Sequence, residues 1–116
     1  MKNILFIEHT LSDKSDVTRQ LNEQGYSVHR VNNAFDALIQ METEQLEAIL
    51  LDFSVPKMES FWLLVARQTR TPIIVLAESN SELERINALE LGADDYLTRP
   101  INIRELQLRL NVLHRR

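Results

Sequence analysis

Four short stretches of this chain end in side chains able to do chemistry. Glu8-His9 follows the apolar run Ile4–Ile7, Asp52 follows Ala48–Leu51, Glu78 follows Ile73–Ala77, and Arg99 follows Tyr96-Leu97-Thr98. If these runs are neighbouring strands, their ends bring acids, an imidazole and a guanidinium into one crevice. Two carboxylates at close range repel each other and need a cation or a proton between them. Hard oxygen ligands with water suit Mg²⁺. A carboxylate beside Mg²⁺ and a cationic side chain can attack a phosphoryl group and carry it as an acyl phosphate. Taken singly, each residue has a plainer reading: Asp52 or Glu8 as a cap, His9 as a turn residue, Arg99 before Pro100 as a surface charge. Convergence is what makes them a site, and the backbone N–H groups after Ala77 add an edge able to bind an anion.

The elements that must position them follow from the apolar pattern. Ile4–Ile7 and Ala48–Leu51 are continuous apolar runs, as expected of strands buried on both faces. Tyr26–Val31 reads as a strand with imperfect alternation, Ile73–Ala77 as a strand opened by Pro72, and Asp95–Thr98 as a short strand stopped by Pro100. Between them lie amphipathic segments. Ser12 caps a helix to about Gln24 with Val17 and Leu21 inward and Gly25 at its end. Asn33 caps a helix whose Ala34, Leu38 and Met41 share a face. Phe53–Lys57 is a loop, and Met58 to about Thr69 is helical with Phe61, Leu64 and Val65 inward. Ser79 or Ser81 caps a helix through Leu83, Ile86 and Leu89 to Gly92; Asn102 caps a last helix carrying Ile103, Leu106, Leu110 and Leu113.

Five βα units predict an α/β protein with a parallel five-stranded sheet covered on both sides, a flavodoxin-like (βα)5 three-layer sandwich. The expected strand order is 2-1-3-4-5. In such sheets ligands bind at the carboxyl ends of the strands where the winding reverses, here between strands one and three. Glu8-His9 and Asp52 end those two strands.

Composition narrows the function classes. The 116 residues suit one domain, 44% hydrophobic and 26% charged. With no cysteine, disulfide scaffolds, thiolate zinc sites and cysteine nucleophiles are excluded. Two glycines cannot build a glycine-rich phosphate loop. The net charge of -4 gives no overall basic field for nucleic acid, and the longest apolar run, Phe61–Ala66, is too short to span a membrane. The expected compartment is the cytoplasm.

The whole pattern resembles the receiver domain of two-component response regulators, from Lys2 to Arg116. The most specific stretch is Gly92-Ala93-Asp94-Asp95-Tyr96-Leu97-Thr98-Arg99-Pro100, followed by Arg104-Glu105-Leu106, similar to the OmpR/PhoB subfamily. Leu50-Leu51-Asp52 with Pro56 resembles the phospho-acceptor loop. The resemblance implies Asp52 as phospho-acceptor, Glu8 as first member of an acidic pair, the Ser54 carbonyl as a metal ligand, Tyr96 as an aromatic switch, and a cis peptide at Arg99–Pro100.

The departures are as informative. Where the family has a second acid that ligates Mg²⁺, this chain has His9, a softer ligand that Mg²⁺ does not favour. Where it has Thr or Ser to hold a phosphoryl oxygen, Ala77 has no hydroxyl. Where it has Lys, Arg99 keeps the charge in a different geometry. Glu78 stands beside the anion entry, where a small residue is usual, and Ser60 stands where the loop has Gly. The expectation is an atypical receiver in which Mg²⁺ binds weakly or not at all and Asp52 is phosphorylated weakly or not at all, with Arg99 paired to Asp52 or Glu8. The alternative is a conventional receiver phosphorylated on Asp52 by a histidine kinase with Mg²⁺. No other cofactor is expected, and the chain is not expected to be an enzyme. A flavin-binding protein or a small phosphatase has weak support: Thr10, Ser12 and Ser15 are a thin phosphate loop, and Ser54 does not supply the second acid a phosphatase needs.

The resemblance also implies a homodimer through the fourth predicted helix, the fifth strand and the last helix. Arg85, Asp94, Asp95, Glu105 and Arg109 are its candidate polar residues, with cross-subunit pairs of Arg85 with Glu105 and Asp95 with Arg109. Ile86, Leu89 and Ile101 are candidates for its apolar centre. A sensor histidine kinase is the expected further partner, and a winged-helix DNA-binding domain is expected to follow, outside this chain. No segment of the chain itself reads DNA.

Overall fold

The structure is a computed structural model that describes residues 2–8, 16–52, 69–78 and 81–115. Five strands, β1 (Lys2–Ile7), β2 (Tyr26–Val31), β3 (Leu46–Asp52), β4 (Ile73–Ala77) and β5 (Asp95–Thr98), form one sheet in the order β2-β1-β3-β4-β5. Every neighbouring pair is parallel. Among the described residues four helices accompany it: α1 (Asp16–Glu23), α2 (Ala34–Thr43), α3 (Glu82–Glu90) and α4 (Ile103–His114). The expected Ser12 cap, the Phe53–Lys57 loop and the helix from Met58 lie outside the described residues, except for Thr69, which is described and is not helical.

Local chemistry sets the helix ends as expected. The Asn33 side chain accepts from the Asp36 N–H at 2.8 Å, Ser81 from the Glu84 N–H at 3.3 Å, and Asn102 from the Glu105 N–H at 3.0 Å. Gly25, at φ +92°, lets the chain turn from α1 into β2 in a conformation that disfavours other residues. β3 opens at Leu46, two residues before the continuous apolar run, because Leu46 pairs with Asn3 and the register then shifts before Ile4 meets Ala48. That shift absorbs Glu47 at an irregularity that the apolar pattern cannot signal.

Alternation along the strands sends side chains to two cores. On one face Leu5, Ile7, Ile49, Leu51, Val75, Ala77 and Tyr96 pack with Ala37 of α2 and Ala88 of α3. On the other, Ile4, Phe6, Leu50, Leu76 and Leu97 pack with Val17 and Leu21 of α1 and with Leu106, Leu110 and Leu113 of α4. Burying a Leu or Phe stabilises by about 1.5–3 kcal/mol each. These two layers hold the strand ends rigidly in place.

Candidate functional site

Register fixes where the strand ends meet. Ile7 pairs with Leu51, so Glu8 and Asp52 occupy the next rung of adjacent strands. Glu8 follows Phe6 by two residues, and Asp52 follows Leu50 by two. Both therefore belong to the sheet face that carries α1 and α4. Asp52 in turn pairs with Leu76 of β4, and Ala77 with Thr98 of β5, which brings Glu78 and Arg99 to the same end. The Arg99 N–H continues the ladder by donating to the Ala77 carbonyl at 2.8 Å.

Arg99 stands between two acids. Its Nη1 lies 3.6 Å from Asp52 Oδ1 and 3.3 Å from Glu78 Oε1. The first contact is longer than a good hydrogen bond and acts as charge compensation. The Asp52 side chain is only 13% exposed, so screening there is limited, whereas Glu78 at 74% is open to solvent. The expected Arg99–Asp52 pair is present. The expected Arg99–Glu8 alternative is not, because a different cation takes Glu8.

That cation is Arg30 of β2. Its Nε donates to Glu8 Oε2 at 2.5 Å, and Glu8 is buried, 4% exposed. The Glu8 N–H also donates to the Val31 carbonyl at 2.9 Å, so backbone and carboxylate are both fastened to β2. Sequence reasoning gave Arg30 no role. The signal was the broken alternation of Tyr26–Val31: a cation one residue from the end of a strand expected beside strand one, on the face that its partner Phe6 shares. His9 and Ser54 lie outside the described residues.

Tyr96 is buried in the opposite core, with its hydroxyl 3.5 Å from Glu84 Oε2 of α3. Burial pushes its phenol pKa above the ordinary 10.0, and the nearby Glu84 carboxylate adds to the rise. Ala77 is buried on the same face and presents only a methyl group. On the outer face of α3, Leu83, Ile86 and Leu89 are exposed, and so are Leu108 and Val112 of α4. Ile101, expected at an apolar centre with them, is partly buried and packs against the α1/α4 core. Two expected cross-subunit residues meet within one chain: Arg109 Nη1 is 3.4 Å from Asp95 Oδ2, and Arg109 Nη2 is 3.5 Å from Glu105 Oε2. β5 and α4 both border the α1/α4 face, so the two side chains reach each other without a partner. Asp94 also works inside the chain. Its Oδ2 accepts from the Ile73 N–H, and its own N–H donates to the Ile73 carbonyl, each at 2.8 Å.

Residues 4–111 match the family described as the response regulator receiver domain. The chain belongs to that family. Response regulator MprA of Mycobacterium leprae is 35% identical over 97% of this chain and 51% of that protein. The alkaline phosphatase synthesis transcriptional regulatory protein PhoP of Bacillus subtilis is 33% identical over 99% of the chain and 49% of that protein. These relatives bear out an OmpR/PhoB-like receiver, a regulatory module rather than an enzyme. The chain spans about half the length of the curated relatives it matches. Among solved structures, the receiver domain of the TMAO respiratory system response regulator TorR superposes with a TM-score of 0.87 at 26% identity, covering 99% of this chain and 98% of that one. The receiver domain of the sensor histidine kinase PA1611 from Pseudomonas aeruginosa, with a magnesium ion coordinated in its active site cleft, superposes with a TM-score of 0.84 at 28% identity over 99% and 98% of the two chains.

Of the four residues expected around such an ion, Glu8 and Asp52 are described and His9 and Ser54 are not. Glu8 and Asp52 each already face a guanidinium. Among the described residues no group of three or more His, Cys, Asp or Glu side chains is placed to hold a metal. Position 9 supplies an imidazole rather than a hard oxygen. Among the described residues no helix is long and apolar enough to cross a membrane.

Proposed function

We propose that this receiver domain is a regulatory and dimerisation module of a transcription-controlling response regulator, and that it works with weak or no phosphorylation of Asp52. The observation that carries this reading is Arg99 between Asp52 and Glu78. The acceptor carboxylate is already compensated, Ala77 offers no hydroxyl to a phosphoryl oxygen, and Glu78 sets a negative charge at the mouth that repels an anionic phosphodonor.

The dimer uses α3, β5 and α4. Ile86, Leu89 and Leu108, each between 42% and 50% exposed, supply an apolar centre, and Arg85, Asp94, Asp95, Glu105 and Arg109 the charged rim that sets register. The length of the relatives supports a second, DNA-binding half in the full regulator, through which alone DNA is contacted. The site of action is the cytoplasm, and a sensor histidine kinase remains a partner by docking.

The test is incubation with a small acyl phosphate and Mg²⁺, followed by intact-mass measurement beside an Asp52→Asn control. The expected result is little or no phosphoryl adduct. A stoichiometric adduct that Asp52→Asn abolishes overturns the reading.

A further inference from the structure

We infer that Arg30 is the resident counter-cation of Glu8, so that a divalent ion entering this pocket must displace a guanidinium of the chain itself. The inference deepens the reading above and rests on it, since it names the group that keeps the metal out.

Placement argues for it first. Phe6 and Arg30 are register partners on neighbouring parallel strands, and Glu8 lies two residues beyond Phe6 on the same face. The guanidinium therefore reaches the carboxylate along the sheet surface, where Nε donates to Oε2. Burial argues next. Among the described residues Glu8 is the buried charged one, and Arg30 is itself only 22% exposed. Such a carboxylate needs a permanent partner. Arginine is that partner at every working pH, because it does not lose its proton.

Charge balance completes the case. Two acids share a rung, and each faces a guanidinium: Arg30 sits on Glu8, and Arg99 stands between Asp52 and the exposed Glu78. A divalent cation among them would face two like charges at close range. It would also need several oxygens and waters in near-octahedral array, and the Glu8 carboxylate is already engaged by the guanidinium. Arg30 comes from β2, which supplies none of the other charged side chains of the site. A purely structural ion pair would stabilise the fold and leave metal affinity alone; a counter-cation changes both.

Calorimetric titration with Mg²⁺ alone separates these roles, using the whole chain as wild type, Arg30→Gln, His9→Asp, and His9→Asp with Arg30→Gln. The double variant is expected to bind Mg²⁺ at least about tenfold more tightly than His9→Asp, a floor well below the like-charge repulsion removed. Equal affinity of the two overturns the inference and leaves the reading of a weakly phosphorylated receiver intact. A second measurement needs no variant. The Arg30 Nε–H resonance of the wild type is expected to be protected from solvent exchange and unmoved by millimolar Mg²⁺. A rapidly exchanging signal overturns the inference. If wild type binds Mg²⁺ tightly and the Arg30 signal moves at the same midpoint, the counter-cation role stands and the reading above falls. If it binds tightly with no change at Arg30, both fall.

Discussion

Arg30→Met is the substitution whose cost the structure lets us bound. It keeps the length and apolar stem of the side chain and removes the guanidinium from Glu8, which is 4% exposed. Breaking a buried ion pair from one side typically costs about 3–5 kcal/mol. The variant is therefore expected to lose about 3–5 kcal/mol at pH 7, a large share of the ~5–15 kcal/mol of a typical domain. Urea unfolding, with wild type beside the variant, reads the number from midpoints and slopes. Adding Glu8→Leu to Arg30→Met removes the orphaned charge and is expected to recover most of the loss. A deficit under about 1 kcal/mol, or no recovery in the double variant, refutes the reasoning.

The remaining expectations concern Tyr96, the turn before β5 and the exposed faces of α3 and α4. The Tyr96 phenol is raised above 10.0, so its contribution to stability is complete below pH 10 and is lost as pH climbs through the folded-state value. Unfolding measured through that alkaline window is expected to show a decline in wild type that Tyr96→Phe flattens. Asp94→Ala deletes the acceptor of the Ile73 N–H and is expected to cost about 1–2 kcal/mol in a thermal melt. Ile86→Glu with Leu108→Glu puts charge on the exposed apolar patch and is expected to weaken self-association at least about tenfold with little loss of melting temperature, because neither side chain is in a core.

The apolar runs fixed the sheet in advance because a buried parallel strand has little other way to read. Strand order followed from run spacing and one topology rule, and the caps from residue type, with Ser79 or Ser81 left open; Arg99 was expected on Asp52 or Glu8, and the structure pairs it with Asp52. Arg30 did not, because its role depends on lying across a strand boundary from Glu8, a distance that only the β1–β2 register defines. The contact of Arg109 with Asp95 inside one chain went unseen for a related reason. Sequence shows that opposite charges exist, but not whether one chain or two brings them together. The early start of β3 was hidden by its irregularity, since an inserted residue breaks the alternation used to recognise a strand.

The sheet also works as a partition. Glu8, Asp52 and Arg30 lie on the α1/α4 side, while Ala77 and Tyr96 lie on the α2/α3 side. A message between the two compartments needs a side chain that reaches through the rim at the end of β4, and a methyl group is too short to act as that lever. The aromatic ring is then governed by its own compartment, by Glu84 and the surrounding hydrocarbon, whatever happens to the acids behind the wall. On the proposed reading, the face that α3 presents can vary in sequence without any change to the acidic pocket across the sheet.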